Sequence, residues 1–224
     1  MSNKIYNDIK EQVKNGKKLF AVLIDPDKCS EESCKKITQY SEIDLFFVGG
    51  SLLTKDNTQQ TIALIKKYTQ KPVILFPGSS YQVEKSADAL LLLSLISGRN
   101  PDTLIGQHVA MAPILSKMDL EIIPTGYMLV DSGNYTTAIY MSQSMPIPAN
   151  KPEIAVATAL AGEMLGLKMI YMDGGSGANS PIDSEMIAEV RKSIKVPLIV
   201  GGGINTLEKA KTAYQSGADI IVIG

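Results

Sequence analysis

The sequence is short of the residues from which most metal and nucleophile sites are built. It has one histidine, His108, and two cysteines, Cys29 and Cys34. A Cys/His metal centre needs about four such ligands and cannot be filled from this set. A Ser-His-Asp arrangement has no support either, because the lone histidine falls in a helical segment, where a structural role is commoner. Cys29 and Cys34 lie five positions apart on what reads as one helix, a poor separation for a disulfide, so a reduced thiol pair is expected. No run of eighteen apolar residues occurs, and Met1-Ser2-Asn3-Lys4 opens no signal-type apolar core. Neither sign of charge dominates. The 22 basic and 23 acidic residues leave a net charge of −1, with no electrostatic footprint for nucleic acid. These absences predict a soluble, cytoplasmic protein without a nucleic-acid partner, whose substrate could still derive from a membrane.

What the chain does have is a repeated pattern. At 224 residues, with 45% apolar residues, it can bury one sizeable core, and no linker or second domain interrupts it. Ile5, Ile9 and Val13 recur every four positions and predict a helix over 3–16, closed by Gly16. Eight short apolar runs follow, at 19–24, 44–48, 72–76, 88–93, 121–130, 168–173, 197–200 and 219–223. Helical segments are predicted between them, with Ser30 and Thr206 as N-caps and Pro152 at a helix start. The fifth run is expected to break near Pro124, residues 101–118 to be helical, and residues 131–150 to form a loop. Continuous rather than alternating apolar runs suggest strands buried on both faces, as in a parallel sheet covered by helices. The expected fold is therefore α/β, a (β/α)8 barrel with an extra N-terminal helix, one domain over 1–224 with the final helix falling outside the given residues. A doubly wound open sheet is the competing arrangement.

In such a barrel the active site lies at the C-terminal ends of the strands. Position alone then selects Asp25, Ser51, Pro77, Ser94, Asp173, Gly201 to Gly203 and Gly224. The loops after strands seven and eight often hold phosphate, and they carry Gly201-Gly202-Gly203 and Gly224. A tight turn is the plain alternative for the triple glycine. Tyr171-Met172-Asp173-Gly174-Gly175-Ser176-Gly177-Ala178 ends the sixth run, and its glycines allow backbone N–H groups to approach an anion closely. Asp25, before Pro26, offers Mg²⁺ a hard oxygen ligand, although Asp-Pro is also a frequent turn pair. The ten methionines, Met111, Met118, Met128, Met141, Met145, Met164 and Met172 among them, could soften a groove for a long apolar ligand, but core filling is the commoner use.

The segments Val22 to Lys28, Val48-Gly49-Gly50-Ser51, Tyr171 to Ala178 and Gly201-Gly202-Gly203-Ile204 occur in that order. Together they resemble the geranylgeranylglyceryl phosphate synthase family of prenyltransferases, which includes the bacterial heptaprenylglyceryl phosphate synthases. The resemblance runs from Lys17 to Gly224. It implies an Mg²⁺-dependent barrel enzyme that joins sn-glycerol 1-phosphate to a long-chain prenyl diphosphate, here geranylgeranyl diphosphate, through an ether bond. By position it implies Asp25 and Ser51 as metal ligands and Asp173 and Tyr171 as catalytic residues. A glycerol phosphate site follows from Tyr171, Met172, Asp173, Gly174, Gly175, Ser176 and Gly177, with Gly202, Gly203 and Gly224 at the phosphate. A homo-oligomer, dimer or hexamer, is implied as well. Two departures stand out. The family's acid in the Tyr-x-acid-Gly segment is often Glu, one methylene longer than Asp173. The heptaprenyl members carry lysine where this chain has Leu23, which favours the geranylgeranyl branch. The alternatives are a barrel isomerase or synthase acting on another phosphorylated small metabolite, and a non-catalytic phosphate-ligand barrel.

Overall fold

The structure, a computed structural model, describes residues 3–55 and 57–224, so Met1 and Ser2 of the N-terminal reading lie outside it. In chain order the elements are α1 (Lys4–Lys14), β1 (Leu19–Ile24), α2 (Glu31–Ile37), β2 (Leu45–Gly50), α3 (Thr58–Tyr68), β3 (Val73–Pro77) and β4 (Ala89–Leu95). A π-helical turn (Asp102–Gly106) leads into α4 (Gln107–Leu115). Then come β5 (Glu121–Leu129), α5 (Thr137–Ser142), α6 (Pro152–Met164), β6 (Met169–Asp173), α7 (Ser184–Ser193), β7 (Leu198–Gly201), α8 (Leu207–Gln215) and β8 (Ile220–Ile223). The strands pair in sequence order, all parallel, and β8 returns to β1 to close the barrel. The open sheet is thereby excluded.

Strand alternation sorts the side chains into two layers. On β6, Met169 and Tyr171 enter the barrel interior with Leu19, Phe47, Phe76, Leu91 and Ile199. Ile170 and Met172 face outward, beneath helices α6 and α7, with Ala155, Ile187 and Val190. Carried to the strand ends, the inward parity continues from Leu23 to Asp25 and from Tyr171 to Asp173.

The lower end of the barrel is plugged by α1, whose Tyr6 and Ile9 join the interior cluster. Its N-cap residue, Asn3, makes no side-chain cap bond. The carboxylate of Glu121, at the start of β5, caps the helix instead, accepting from Ile5 N and Tyr6 N at 2.8 Å each. That contact satisfies two otherwise orphaned N–H groups and sets a negative charge against the helix dipole.

Register is keyed by a repeated aspartate. Asp44, Asp88 and Asp219 stand just before β2, β4 and β8, and each accepts the first backbone N–H groups of the neighbouring strand: Phe20 N (2.9 Å), Val73 N (2.8 Å) and Leu198 N (3.0 Å). Each also holds a cation, respectively Lys17, Lys66 and Arg191. The pair β5 and β6 has no such aspartate.

Four sequence expectations change. β5 runs unbroken through Pro124. Pairing with β6 begins at Thr125 opposite Met169, so the missing Pro124 N–H faces chain that has not yet entered the sheet, while its carbonyl still accepts from Lys168 N at 2.8 Å. Residues 131–150 are not all loop. Thr136 caps α5 through its side chain, and Val130 bridges Ile147. The stretch 101–118 divides into the π-helical turn and α4. Cys29 and Cys34 do not share a helix: Ser30 is the N-cap, forming a capping box with Ser33, and Cys29 precedes it. Both cysteines are free, at the two positions that pack together across a helix start. Burial, helped by the Cys29 thiol beside it, pushes the Cys34 thiol up to about 12. No helix among the described residues is long and apolar enough to cross a membrane.

Candidate functional site

The upper end of the barrel opens into a cavity of about 600 Å³. Asp25, Ser51, Tyr171, Asp173, Gly175, Ser176, Gly177, Gly202, Gly203 and Gly224 all line it, so strands β1, β2, β6, β7 and β8 bring the sequence candidates to one place. Other candidates fall elsewhere. Met172 is fully buried in the outer layer. Gly174 spends its N–H on Gly201 O (3.0 Å), and its carbonyl accepts from Ser132 Oγ (2.8 Å). Ser94 donates to Leu104 O (3.1 Å). His108 Nε2 lies 2.8 Å from Leu93 O, a structural position as expected.

Asp173 is the most unusual group in the cavity. Only 8% exposed, it accepts from Tyr127 Oη at 2.5 Å on one oxygen and from Gly175 N at 2.7 Å on the other. Burial raises its pKa, while the bonds from Tyr127 and Gly175 pull it back. Burial and the neighbouring Asp173 charge push the phenols of Tyr127 and Tyr171 well above their ordinary value, so both are donors at neutral pH.

Tyr127 escaped the sequence reading. Its parity on β5 is that of Glu121 and Ile123, pointing inward, but a strand assumed broken at Pro124 could not carry that count across. With Phe76 and Tyr171 it forms an aromatic floor, the three ring centroids 5.4 to 5.7 Å apart.

The glycines form a cradle because the backbones meet. Gly202, at φ 84°, could carry a Cβ only 2.6 Å from Gly174 N and 2.8 Å from Gly175 N. A Cβ on Gly201 would stand 2.6 Å from Tyr171 Oη. Contact excludes a side chain at Gly201, and conformation and contact together exclude one at Gly202, so the turn presents main chain rather than side chains at this edge of the cavity.

Across the cavity, Asp25 pairs with the exposed Lys28 (Oδ2 to Nζ, 3.1 Å). Among the described residues no cluster of three or more His, Cys, Asp or Glu could hold a metal. One carboxylate with a nearby hydroxyl is nevertheless a donor set that suits Mg²⁺, which keeps waters and binds substrate phosphates rather than requiring a protein cage.

A second cavity of about 100 Å³ adjoins the first, sharing Ser51, Phe76, Tyr127 and Ala138 with it. Leu93, Leu95, Leu129 and Met141 line it, an apolar extension away from the cradle. Of the methionines singled out in sequence, Met141 alone borders either cavity; Met128 and Met172 are core residues, and Met145 and Met164 are exposed.

The chain is similar over nearly its whole length to known proteins. The model of the PcrB family matches residues 10–224. A geranylgeranylglyceryl phosphate synthase of Spirosoma linguale is 56% identical over 213 residues, covering 94% of this chain and 86% of its own. The enzyme of that name from Thermococcus gammatolerans is 43% identical, covering 99% and 88%. The crystal structure of (S)-3-O-geranylgeranylglyceryl phosphate synthase from Thermoplasma acidophilum, in complex with its substrate sn-glycerol-1-phosphate, superposes with a TM-score of 0.92 at 32% identity. It covers 98% of this chain and 90% of that one.

Proposed function

The chain belongs to the PcrB family, and we propose that it joins sn-glycerol 1-phosphate to geranylgeranyl diphosphate, forming the ether bond of a prenylglyceryl phosphate. One observation carries the reading: a buried, hydrogen-bonded carboxylate, Asp173, shares a single cavity with a set of glycines and with the carboxylate of Asp25 and the hydroxyl of Ser51.

The glycerol phosphate belongs on the cradle side. Backbone groups of Gly175, Ser176, Gly177, Gly202, Gly203 and Gly224 receive the phosphate, and Tyr171 closes the floor beneath the glycerol. Fixing the phosphate leaves a glycerol hydroxyl within reach of Asp173, which orients it and accepts its proton as the C–O bond forms. Tyr127 holds Asp173 in place by donating to it, so the free lone pairs of the carboxylate face the cavity. Asp173 is shorter than the glutamate common in the family, and this hydrogen bond fixes the direction of its shorter reach.

The prenyl diphosphate belongs on the opposite side, its diphosphate toward Asp25 and Ser51 and its tail along the apolar extension past Leu93, Leu129 and Met141. Mg²⁺ held by Asp25 and Ser51 would neutralise the departing diphosphate. Positive character developing at the allylic carbon is stabilised by the faces of Phe76, Tyr127 and Tyr171. Leu23, lining the cavity where heptaprenyl enzymes carry lysine, supports the geranylgeranyl assignment.

A homo-oligomer fits the apolar exposure of Ile105, Val109 and Ile114 near α4 and of Ile154, Met164 and Leu165 near α6. The free cysteines suit a reducing, cytoplasmic setting. Incubation with sn-glycerol 1-phosphate, Mg²⁺ and a mixture of prenyl diphosphates, with products read by mass spectrometry, tests the reaction and chain length together. A C20 ether product is expected. Glycerol phosphate binding without any ether product would overturn the reading in favour of a ligand-binding barrel.

A further inference from the structure

We infer that Asp27 is a positioning residue: its carboxylate ties the loop after β1 to the loop after β2, and so fixes Asp25 and Ser51 relative to each other. The inference rests on the proposed diphosphate role of those two residues. Sheet pairing between β1 and β2 ends at Ile24 opposite Val48, short of both functional side chains. Beyond that point the ladder no longer sets the spacing of the two loops.

Asp27 continues the connection where the ladder stops. Its Oδ2 accepts from Thr54 N at 2.6 Å and from Thr54 Oγ1 at 2.8 Å, and its Oδ1 accepts from Lys55 N at 3.1 Å. Three donors from one loop thus converge on the two oxygens of a single carboxylate. On its own loop, Asp27 N donates to Asp25 Oδ1 at 3.0 Å, and Lys28 N donates to Asp25 O at 3.1 Å, closing a turn around the buried Pro26. One oxygen of Asp25 is therefore oriented by the backbone of Asp27. The other meets, among the described residues, the 79% exposed Lys28 ammonium, which water can replace at little cost. Thr54 stands three residues after Ser51, so the clasp reaches both donors through short segments. Asp25, Asp27, Lys28 and Ser51 border the same cavity. An asparagine at 27 would keep the shape but point an amide NH2 at a backbone N–H or a hydroxyl donor, which breaks the convergence.

Calorimetric titration of the intact chain with inorganic pyrophosphate, with and without Mg²⁺, and separately with sn-glycerol 1-phosphate, tests this without turnover. Asp27→Asn should weaken the Mg²⁺-dependent pyrophosphate binding about tenfold while leaving glycerol phosphate binding within about twofold. Thr54→Val, which removes one donor of three, should weaken the former by about two- to threefold. If Asp27→Asn fails to fold, Thr54→Val carries the same comparison. Wild-type pyrophosphate affinity in both variants, with Asp25→Ala abolishing it, would overturn the clasp and leave the cation reading standing. Parallel loss of both ligands would reduce Asp27 to a general structural role. Pyrophosphate binding that ignores Mg²⁺ and survives Asp25→Ala would overturn the cation reading and the clasp with it.

Discussion

Glu121 and Asp173 are carboxylates buried at opposite ends of the barrel, and they are put to opposite uses. Glu121 at the lower end has both oxygens bound by consecutive backbone N–H groups of one helix start. The donors that reach it among the described residues belong to the main chain of a helix. Asp173 at the upper end also has one bond per oxygen, but one donor is a phenol, the other is a glycine N–H in a loop, and lone pairs remain toward open space. Among the described residues no cation pairs with it. A carboxylate saturated by a helix terminus is an anchor. A carboxylate buried with partial satisfaction has a raised pKa and a strong tendency to accept a proton, which is what a general base requires.

The sharpest way to break the contrast is Asp173→Asn. Product formation should fall by roughly 10²–10⁴-fold, while calorimetric glycerol phosphate binding persists. The same change should also flatten a pH dependence of stability. A raised carboxylate pKa means that the protonated form is favoured on folding: its stabilising contribution is full below the ordinary value of 3.8 and is lost as pH rises through the folded value. Asparagine does not titrate, so the Tm of the variant, followed against pH by calorimetry, should lack that loss. An active variant would remove Asp173 from this role.

Tyr127→Phe should come next, with a loss of roughly 10–100-fold in kcat/KM. It also moves a pH profile in a definite direction. Tyr127 lowers the Asp173 pKa by hydrogen bonding, so its removal should shift the acid limb of kcat/KM to higher pH. An unchanged limb would separate that limb from Asp173. Gly202→Ala should raise the KM for glycerol phosphate by roughly tenfold, since the added Cβ must push against Gly174 and Gly175; unaltered KM would place the phosphate elsewhere. The smallest effect on activity belongs to the other end. Glu121→Gln should leave kcat/KM within about twofold yet cost about 1–3 kcal/mol in denaturant unfolding, because an amide NH2 would face a helix N–H.

The barrel was legible because its signals are local: apolar runs bounded by Asp, Gly and Ser at their C-terminal ends, and caps such as Ser30 and Thr206. Half the site was legible for the same reason. Asp25, Asp173 and the glycines sit where strands stop, and position alone selects them. What escaped depended on parity through an exception. Tyr127 is inward only if β5 passes through Pro124, and the reason it can is the late start of β6, a fact of register between distant segments. The clasp from Asp27 to Thr54 was hidden likewise, since it joins loops whose meeting follows from closure of the sheet. Glu121 gave no local sign of capping a helix more than a hundred residues upstream.

The aspartates before β2, β4 and β8 bear on how such a chain finds its shape. Each bonds a strand start only 15 to 24 residues away in sequence, so the loop that must close is short and the entropy lost is small. A slip of one residue would strand an ionised side chain beside apolar neighbours and turn an interior face outward. Strand pairs can therefore check their alignment before the distant contact between Leu19 and Asp219 shuts the ring. Three of the eight pairs carry such a check, and β5 with β6, which bears Tyr127 and Asp173, is among those that do not. Alignment there rests on the ladder and on packing in the barrel interior, so two walls of the candidate site are held by contacts between segments distant in sequence.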